Sequence, residues 1–400
     1  MAHRAGSKLF VAFGAGLPAL IFRLSAAHFG PLTSIVVYGG GVVASAFLLS
    51  WAAEAFQLDV SASLATAALA LIAVLPEYAV DLYFAFSAGH NPDHAQYAAA
   101  NMTGSNRLLI GIGWPLVAAL AMMAARRGGG QGRAVRLGPA RRLELAFLGL
   151  ASVYSVVIIL TRRLAWYDAA VLLGLFVFYL RRVSAEERRE PELIGVAAEI
   201  GQLGRRSRRL VVGAFFLAAA AIVLASAEPF AEGLVAGGRQ LGIDQFLLVQ
   251  WLAPLASEAP ELLVASVLAF RGHQDTAFGT VLSSKVNQWT LLVGSRPIAY
   301  YAGGGRGGLP LDARQVEEMV LTASQAIMGF AVLCNLELRR WEAAALFLLF
   351  LLQFPLPGED ARLLLSAAYL IISVAVLIAH RRWLPPIARA LGRDTVGTGV

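Results

Sequence analysis

Long apolar runs, separated by short polar or basic segments, dominate the chain. Each run has about 20 residues, the length that a helix needs to cross the hydrocarbon core of a bilayer. We therefore expect an all-α integral membrane protein with about 12 transmembrane helices. No clear cleavage site follows the first run, so we expect that helix to be retained. The predicted helices lie at 9–28, 31–53, 62–88, 97–125, 143–161, 164–182, 210–233, 243–270, 276–302, 317–336, 341–356 and 362–380.

The composition agrees with a chain that lies mostly in lipid. Hydrophobic residues make up 58% of the 400 residues and charged residues only 15%, which excludes a soluble protein with an ordinary polar surface. The net charge of +7 comes from short arginine clusters between apolar runs, an arrangement typical of cytoplasmic loops and not of a nucleic-acid surface. The single cysteine, Cys334, excludes an intramolecular disulfide and is expected to be a packing residue.

Two arginine-rich loops set the expected orientation. They lie at 126–142 and 181–209, an even number of predicted helices apart, so both can lie in the cytoplasm. The same parity places the N- and C-termini in the cytoplasm. Few lysines and many Arg, Ala and Gly residues suit a GC-rich bacterial genome, so we expect a bacterial inner (plasma) membrane.

One sequence pattern occurs twice. Its first copy, 71–111, places Pro76-Glu77 inside an apolar run, and its second copy, 252–294, places Pro260-Glu261 in the same way. Each copy then reaches a Gly-His turn and a helix that opens with small and polar residues. Because the first turn is expected outside and the second inside, the repeats are predicted to be inverted, as in many secondary transporters.

The repeat defines the expected organisation of the chain. Two five-helix segments related by inverted topology are joined by a basic cytoplasmic connector, with one extra helix at each end. The segments are an N-terminal extra helix (1–30), a first repeat (31–182), the connector (183–209), a second repeat (210–356) and a C-terminal helix with a basic tail (357–400).

Acidic residues beside prolines are the candidate chemistry. Glu77 and Asp81 share one helix face, as do Glu258 and Glu261. Carboxylates inside a membrane are costly and by default indicate function, and prolines that interrupt two helices would free backbone carbonyls beside them. Calcium binds such all-oxygen shells. Polar side chains from the neighbouring helices are expected to complete the shell: Asn101, Ser105, Asn106, Ser257, Ser283 and Ser284. His90, His94 and His273 are expected to be solvated surface residues.

These residues carry a family resemblance. The two copies resemble the alpha repeats of the cation/calcium exchanger superfamily, the sodium/calcium exchangers and their relatives, which read approximately G-T-S-L-P-E-L and then G-N-x-I-G-S-N. The matching stretches are 72–78 with 100–106, and 256–262 with 279–285. The resemblance covers about half of the chain. It implies a secondary antiporter in which Glu77 and Glu261 are the central calcium ligands.

The departures from the family pattern leave the coupling ion open. The Thr-Ser pair is Ala73-Val74 in the first copy, so hydroxyls expected to bind sodium are absent, and the Ser becomes Glu258 in the second. The closing Asn is replaced by Lys285, and Arg107 follows the intact Gly-Ser-Asn of the first copy. The lysine ammonium either occupies a sodium site permanently and exchanges protons, or it neutralises Glu258 or the second repeat's Glu261.

Three functions remain after these observations. The first is an antiporter that exchanges Ca²⁺ or a similar cation for Na⁺ or H⁺ by alternating access. The second is proton-coupled transport of another solute, with Lys285 and Arg107 as charge partners that bind anionic groups. The third is a degenerate membrane scaffold or sensor. No enzyme motif is present, and we expect no cofactor and no nucleic acid, only the lipid bilayer and inorganic cations as partners.

Overall fold

The computed structural model describes residues 2–25, 30–59, 75–185, 193–355 and 358–392, and it describes side chains from residue 12 onward. This part of the chain is mostly helical. Its first seven helices are α1 (Ala2–Leu24), α2 (Pro31–Phe56), α3 (Leu75–Ala88), α4 (95–127), α5 (Arg141–Thr161), α6 (Trp166–Ser184) and α7 (Gly195–Gly201). The remaining helices are α8 (Arg205–Leu241), α9 (Gln245–Phe270), α10 (274–302), α11 (Ala313–Leu333), α12 (Arg340–Leu352), α13 (Glu359–Ala379) and α14 (Leu384–Ala390).

The apolar runs form helices where the described residues cover them. Seven segments of the described chain are long and apolar enough to cross a membrane by themselves: Pro31–Phe56, Pro92–Arg127, Arg141–Thr161, Arg205–Leu241, Gln245–Phe270, Ala313–Leu333 and Glu359–Ala379. Of the predicted helix at 62–88, the part before residue 75 lies outside the described residues. The predicted connector, 183–209, contains the short helix α7 and the first residues of α8.

The helix α8 is longer than the sequence pattern predicts. It has 37 residues, which corresponds to about 55 Å at 1.5 Å per residue. This length exceeds the thickness of a bilayer core, so the helix must tilt or extend beyond the lipid. Its basic first turn, Arg205 to Arg209, lies before the apolar run that the pattern identified.

Four short strands in the described part of the chain, absent from the all-α prediction, join the loops between helices. The strand β1 (Ala134–Arg136) pairs antiparallel with β4 (Glu337–Arg339), and β2 (Arg163–Leu164) pairs with β3 (Leu309–Pro310). In each pair one strand follows α4 or α10, and the other follows α5 or α11. Each strand has only two or three residues, so it exists through pairing with a distant loop and leaves no periodic signal in the sequence.

A helix interruption was expected at Pro260, and the structure contradicts it. The helix α9 runs without a break through Pro254 and Pro260, because a membrane helix tolerates the loss of the single hydrogen bond that a proline removes. Irregular backbone occurs elsewhere, as π-helical turns at Leu109–Gly113 in α4 and Gln288–Leu292 in α10. Pro76 lies in the first turn of α3, which begins at Leu75, and the preceding residues 60–74 lie outside the described part.

The chain forms two compact units. Unit 1 comprises Met1–Phe84 and Val183–Glu261, and unit 2 comprises Ala85–Arg182 and Leu262–Val400. Each unit therefore takes residues from both predicted repeats. In unit 1, α8 packs along α2, and α1 packs against both. In unit 2, α11 packs against α4, α5 and α13, and Cys334 is buried beside Ala146, as expected for a packing residue.

Candidate cation-binding site

The first acidic pair lies on α3 in unit 1. Glu77 and Asp81 are buried, with 4% and 0% of their surface exposed, and their spacing of one helical turn places both on one face. A third α3 side chain, Tyr83, donates a hydrogen bond of 2.6 Å to Glu232 Oε1 on α8. Acidic side chains held at this depth among apolar residues are the expected signature of an ion site.

The second acidic pair lies on α9, also in unit 1. Glu258 is buried and Glu261 half-buried. Ser257 is buried and its Oγ donates to the carbonyl oxygens of Ala253, at 3.1 Å, and Pro254, at 3.3 Å. Its hydroxyl proton is therefore turned toward the helix backbone, so the oxygen lone pairs remain available to a cation.

Unit 1 therefore contains the central pair that the resemblance implied, Glu77 and Glu261. Among the described residues, no group of three or more His, Cys, Asp or Glu side chains is arranged to hold a metal ion. A calcium shell of about six to eight oxygens would thus need serine and backbone oxygens beside these carboxylates.

The predicted polar residues of the first repeat lie on α4 in unit 2. Asn101, Ser105 and Asn106 are all buried. Ser105 Oγ donates to the carbonyl of Met102 at 3.3 Å, and Asn106 Nδ2 donates to the same carbonyl at 2.9 Å. The second bond fixes the Asn106 amide, so that its Oδ1 is the acceptor available to other groups.

The predicted residues of the second repeat lie on α10, in the same unit. Lys285 is fully buried, and its Nζ donates to both the backbone O and the Oδ1 of Asn106, each at 2.7 Å. The ammonium also lies 5.4 Å from the centre of the Trp289 ring. Lys285 is thus held by carbonyl oxygens of the first repeat's Gly-Ser-Asn sequence. Ser284 is buried, and Ser283 accepts a hydrogen bond of 3.0 Å from Tyr179 on α6.

Arg107 is held by partners that sequence reasoning did not identify. Its guanidinium forms an ion pair with Glu318 on α11, and its Nη1 donates to Gln353 Oε1 at 2.8 Å. Arg362, on α13, bonds the neighbouring Glu317 at 2.8 Å and approaches Glu318 to 3.9 Å. The anion-binding role considered for Arg107 would require this pair to open. An available signal was the adjacent acids 317 and 318 in an apolar span, since such acids need a cationic partner.

One histidine prediction was wrong. His94 is buried, with 8% of its surface exposed, and its Nδ1 lies 2.8 Å from Ser87 Oγ. Its position at the turn before α4 suggested solvent, but Tyr97 packs against the imidazole ring and covers it. His90 and His273 are exposed, as expected.

The chain is similar to known cation exchangers over most of its length. A family model described as sodium/calcium exchanger protein matches residues 29–184 and 211–354. The crystal structure of an H⁺/Ca²⁺ exchanger, CAX, is 43% identical, with a TM-score of 0.92 over 98% of each chain. The Ca²⁺/H⁺ antiporter YfkE has a TM-score of 0.61 at 15% identity, over 91% of this chain and 99% of its own, which shows a shared fold alone.

A curated relative gives a shorter match. The putative antiporter CaxA of Alkalimonas amylolytica is 28% identical over 159 residues. The match covers 38% of this chain and 47% of that relative, so the chain spans about half the length of the curated relative it matches.

Proposed function

Because the chain belongs to the sodium/calcium exchanger protein family, we propose that this membrane cation antiporter moves Ca²⁺ in exchange for H⁺. The chain is a transporter and not an enzyme. The observation that carries the choice of ions is its likeness to an H⁺/Ca²⁺ exchanger, at 43% identity over nearly the whole length of both chains. Sodium remains the alternative coupling ion that the experiment must exclude.

The proposed calcium site is built around the acidic residues of unit 1. Glu77 and Glu261 would be the central ligands, because each follows the proline of its copy of the repeat and both lie in unit 1. Asp81 and Glu258 add buried negative charge on the same two helices, and the Ser257 oxygen is a neutral ligand beside them. A buried carboxylate is stable when it binds either a cation or a proton. The same side chains can therefore exchange one for the other.

The remaining predicted cation ligands belong to unit 2. The helices α4 and α10 contain four of these polar residues: Asn101, Ser105, Ser283 and Ser284. We propose them as cation ligands. Asn106 has a different role in this proposal, because its two oxygens accept hydrogen bonds from Lys285. The hydroxyl pair that the resemblance associates with sodium is replaced by Ala73-Val74 in the first repeat, which also favours protons as the coupling ion.

Inverted repeats and alternating access belong to this proposal, and the strand pairing supports them. The loop after α4 pairs with the loop after α11, and the loop after α10 pairs with the loop after α5. In the proposed repeats α4 corresponds to α10, and α5 corresponds to α11. The first strand pair therefore has the second as its counterpart, which is the relation expected for five-helix repeats of opposite orientation. The π-turns support the same equivalence, because each begins three residues after Asn106 or Lys285.

The full arrangement proposed is therefore about 12 transmembrane helices, with the repeats at 31–182 and 210–356 and one extra helix at each end. The arginine-rich loops would face the cytoplasm, together with both termini. The bacterial inner membrane is the proposed location, on the composition alone.

Flux in proteoliposomes tests this function. Purified protein is given an outward or inward gradient of H⁺ or Na⁺, and Ca²⁺ uptake is recorded with and without each gradient. We expect uptake driven by H⁺, and a loss of about 100-fold in Glu77→Gln and Glu261→Gln, since each removes a charged ligand. Glu359→Gln, which neutralises an exposed acid at the start of α13, is the matched control and should transport normally. Uptake driven only by Na⁺, or unchanged in both site variants, would contradict the proposal.

A further inference from the structure

Lys285 is a buried cation held by oxygen ligands. Two hydrogen bonds from its Nζ, each of 2.7 Å, go to the backbone and side-chain carbonyl oxygens of one residue, Asn106. The Lys285 side chain is fully buried, Asn106 is 1% exposed, and the centre of the Trp289 ring lies 5.4 Å from the ammonium. All three residues belong to unit 2. The ammonium is therefore fixed in place by the protein interior.

The ligands of this ammonium are of the type that small metal cations prefer. Backbone and amide carbonyl oxygens bind hard cations such as Na⁺ and Ca²⁺, and a lysine ammonium is a compact point charge that can take the place of a monovalent ion. The Asn106 oxygens thus have a tethered monovalent cation bound to them.

The two repeats make this arrangement informative. Asn106 and Lys285 occupy matching positions in the two copies. Each directly follows two small residues, and a π-turn begins three residues after each. An asparagine at both positions would bring two amide oxygens to the place where the chain now has one amide and one ammonium. The residue type at position 285 would therefore decide whether this place binds a cation from solution or already contains one.

We propose that Lys285 is a specificity-determining residue: its ammonium acts as a resident monovalent cation on Asn106 and prevents Na⁺ from binding there. The inference deepens the proposed function and rests on it, because it identifies why transport would be coupled to H⁺ and not to Na⁺. It does not require Lys285 to change its protonation state.

The first test is sodium binding, which needs no transport. The melting temperatures of the wild type, Lys285→Asn and Lys285→Gln are measured in detergent, in NaCl and in choline chloride of equal ionic strength. A ligand that binds only the folded state raises the melting temperature. We expect a rise of about 2–4 °C in NaCl over choline chloride for the variants, and none for the wild type. Arg271→Asn, which removes a positive charge at an exposed turn after α9, should behave as the wild type.

The second test is flux in proteoliposomes with equal pH on both sides. An imposed Na⁺ gradient should drive Ca²⁺ uptake through Lys285→Asn at about ten times the wild-type rate or more. A sodium-specific rise in melting temperature in the wild type, or none in either variant, would overturn the inference. Absence of a melting transition in both variants would also overturn it, because the ammonium would then be required for folding and not for selectivity. A wild type that carries no Ca²⁺ under any gradient would refute the proposed function alone, since the binding comparison does not depend on transport.

Discussion

Arg107 of α4 and Glu318 of α11 form an ion pair in which each side chain is only 3% exposed. The pair lies next to the Lys285 contact, because Arg107 directly follows Asn106. Gln325 lies about two helical turns beyond Glu318, and its Nε2 donates to the Arg107 carbonyl oxygen at 3.5 Å. Arg362 connects the acids of α11 to α13. A charged network thus joins α4 and α11 to α13 within unit 2.

Loss of one partner of this ion pair should be costly. Glu318→Gln leaves the buried Arg107 guanidinium without its carboxylate, and we expect the free energy of unfolding to fall by about 3–5 kcal/mol. The double variant Arg107→Met with Glu318→Met removes both charges and should be less destabilised than Glu318→Gln. Thermal unfolding in detergent measures both effects.

The control for this prediction is a surface ion pair of the same unit. Glu337 lies 3.2 Å from Arg339, whose side chain is half exposed, so Glu337→Gln should cost at most about 1 kcal/mol. Equal melting temperatures for Glu318→Gln and Glu337→Gln would show that the buried pair contributes no more than a surface pair.

The helices could be predicted from the sequence because their signal is local. An apolar run of sufficient length forms a helix in lipid whatever its neighbours are, and α2, α5 and α13 begin and end within a few residues of the predicted bounds. The signal for the candidate acidic residues is also local, because Glu77 and Glu261 each follow a proline within an apolar run. The strands β1 to β4 were missed because each depends on a loop far away in the chain.

The partners of the buried charges could not be predicted for the same reason. Lys285 and Asn106 are 179 residues apart, and Arg107 and Glu318 are 211 apart. A hydropathy pattern identifies a charge in a membrane helix but does not indicate which other helix supplies its partner. The π-turns were missed because a five-residue change in helix geometry alters neither the length nor the hydropathy of the run.

Close packing at one π-turn should make any side chain at position 111 destabilising. A Cβ added at Gly111, in the π-turn of α4, would clash with the Phe350 ring on α12. Phe350 is 1% exposed and has little room to move. We expect Gly111→Ala to reduce the free energy of unfolding by about 1–3 kcal/mol, as measured by thermal unfolding in detergent.

A second substitution distinguishes this clash from a general preference for glycine. Phe350→Ala in the Gly111→Ala background removes the ring that the new methyl would meet. The two substitutions should therefore cost less together than the sum of their separate effects. The matched control is Gly174→Ala, because nothing lies within 4 Å of a Cβ at that α6 position. Strict additivity of the two substitutions would contradict the proposed contact.

The turn after α2 should make the stability of unit 1 depend on pH. Asp59, with 3% of its side chain exposed, accepts hydrogen bonds from Arg208 at 2.7 and 3.0 Å, and the nearby Arg205 and Arg209 add positive charge. The hydrogen bond from Arg208 is the main cause that lowers the pKa of Asp59 below its ordinary value. A carboxyl whose pKa is lower in the folded state stabilises that state above its unfolded pKa of about 4.

The stabilisation by Asp59 should therefore be complete at neutral pH and disappear as the pH falls through the lowered pKa. Asp59→Asn removes the charge, so it should lower the melting temperature at pH 7, by an amount that corresponds to about 1–3 kcal/mol for hydrogen bonds to a charged group. The difference between the wild type and the variant should shrink below about pH 4. Asp93→Asn, at an exposed position before α4, is the control, and its melting temperature should follow that of the wild type throughout. A difference for Asp59→Asn that is the same at pH 7 and pH 3 would mean that the side chain stabilises this turn without its charge.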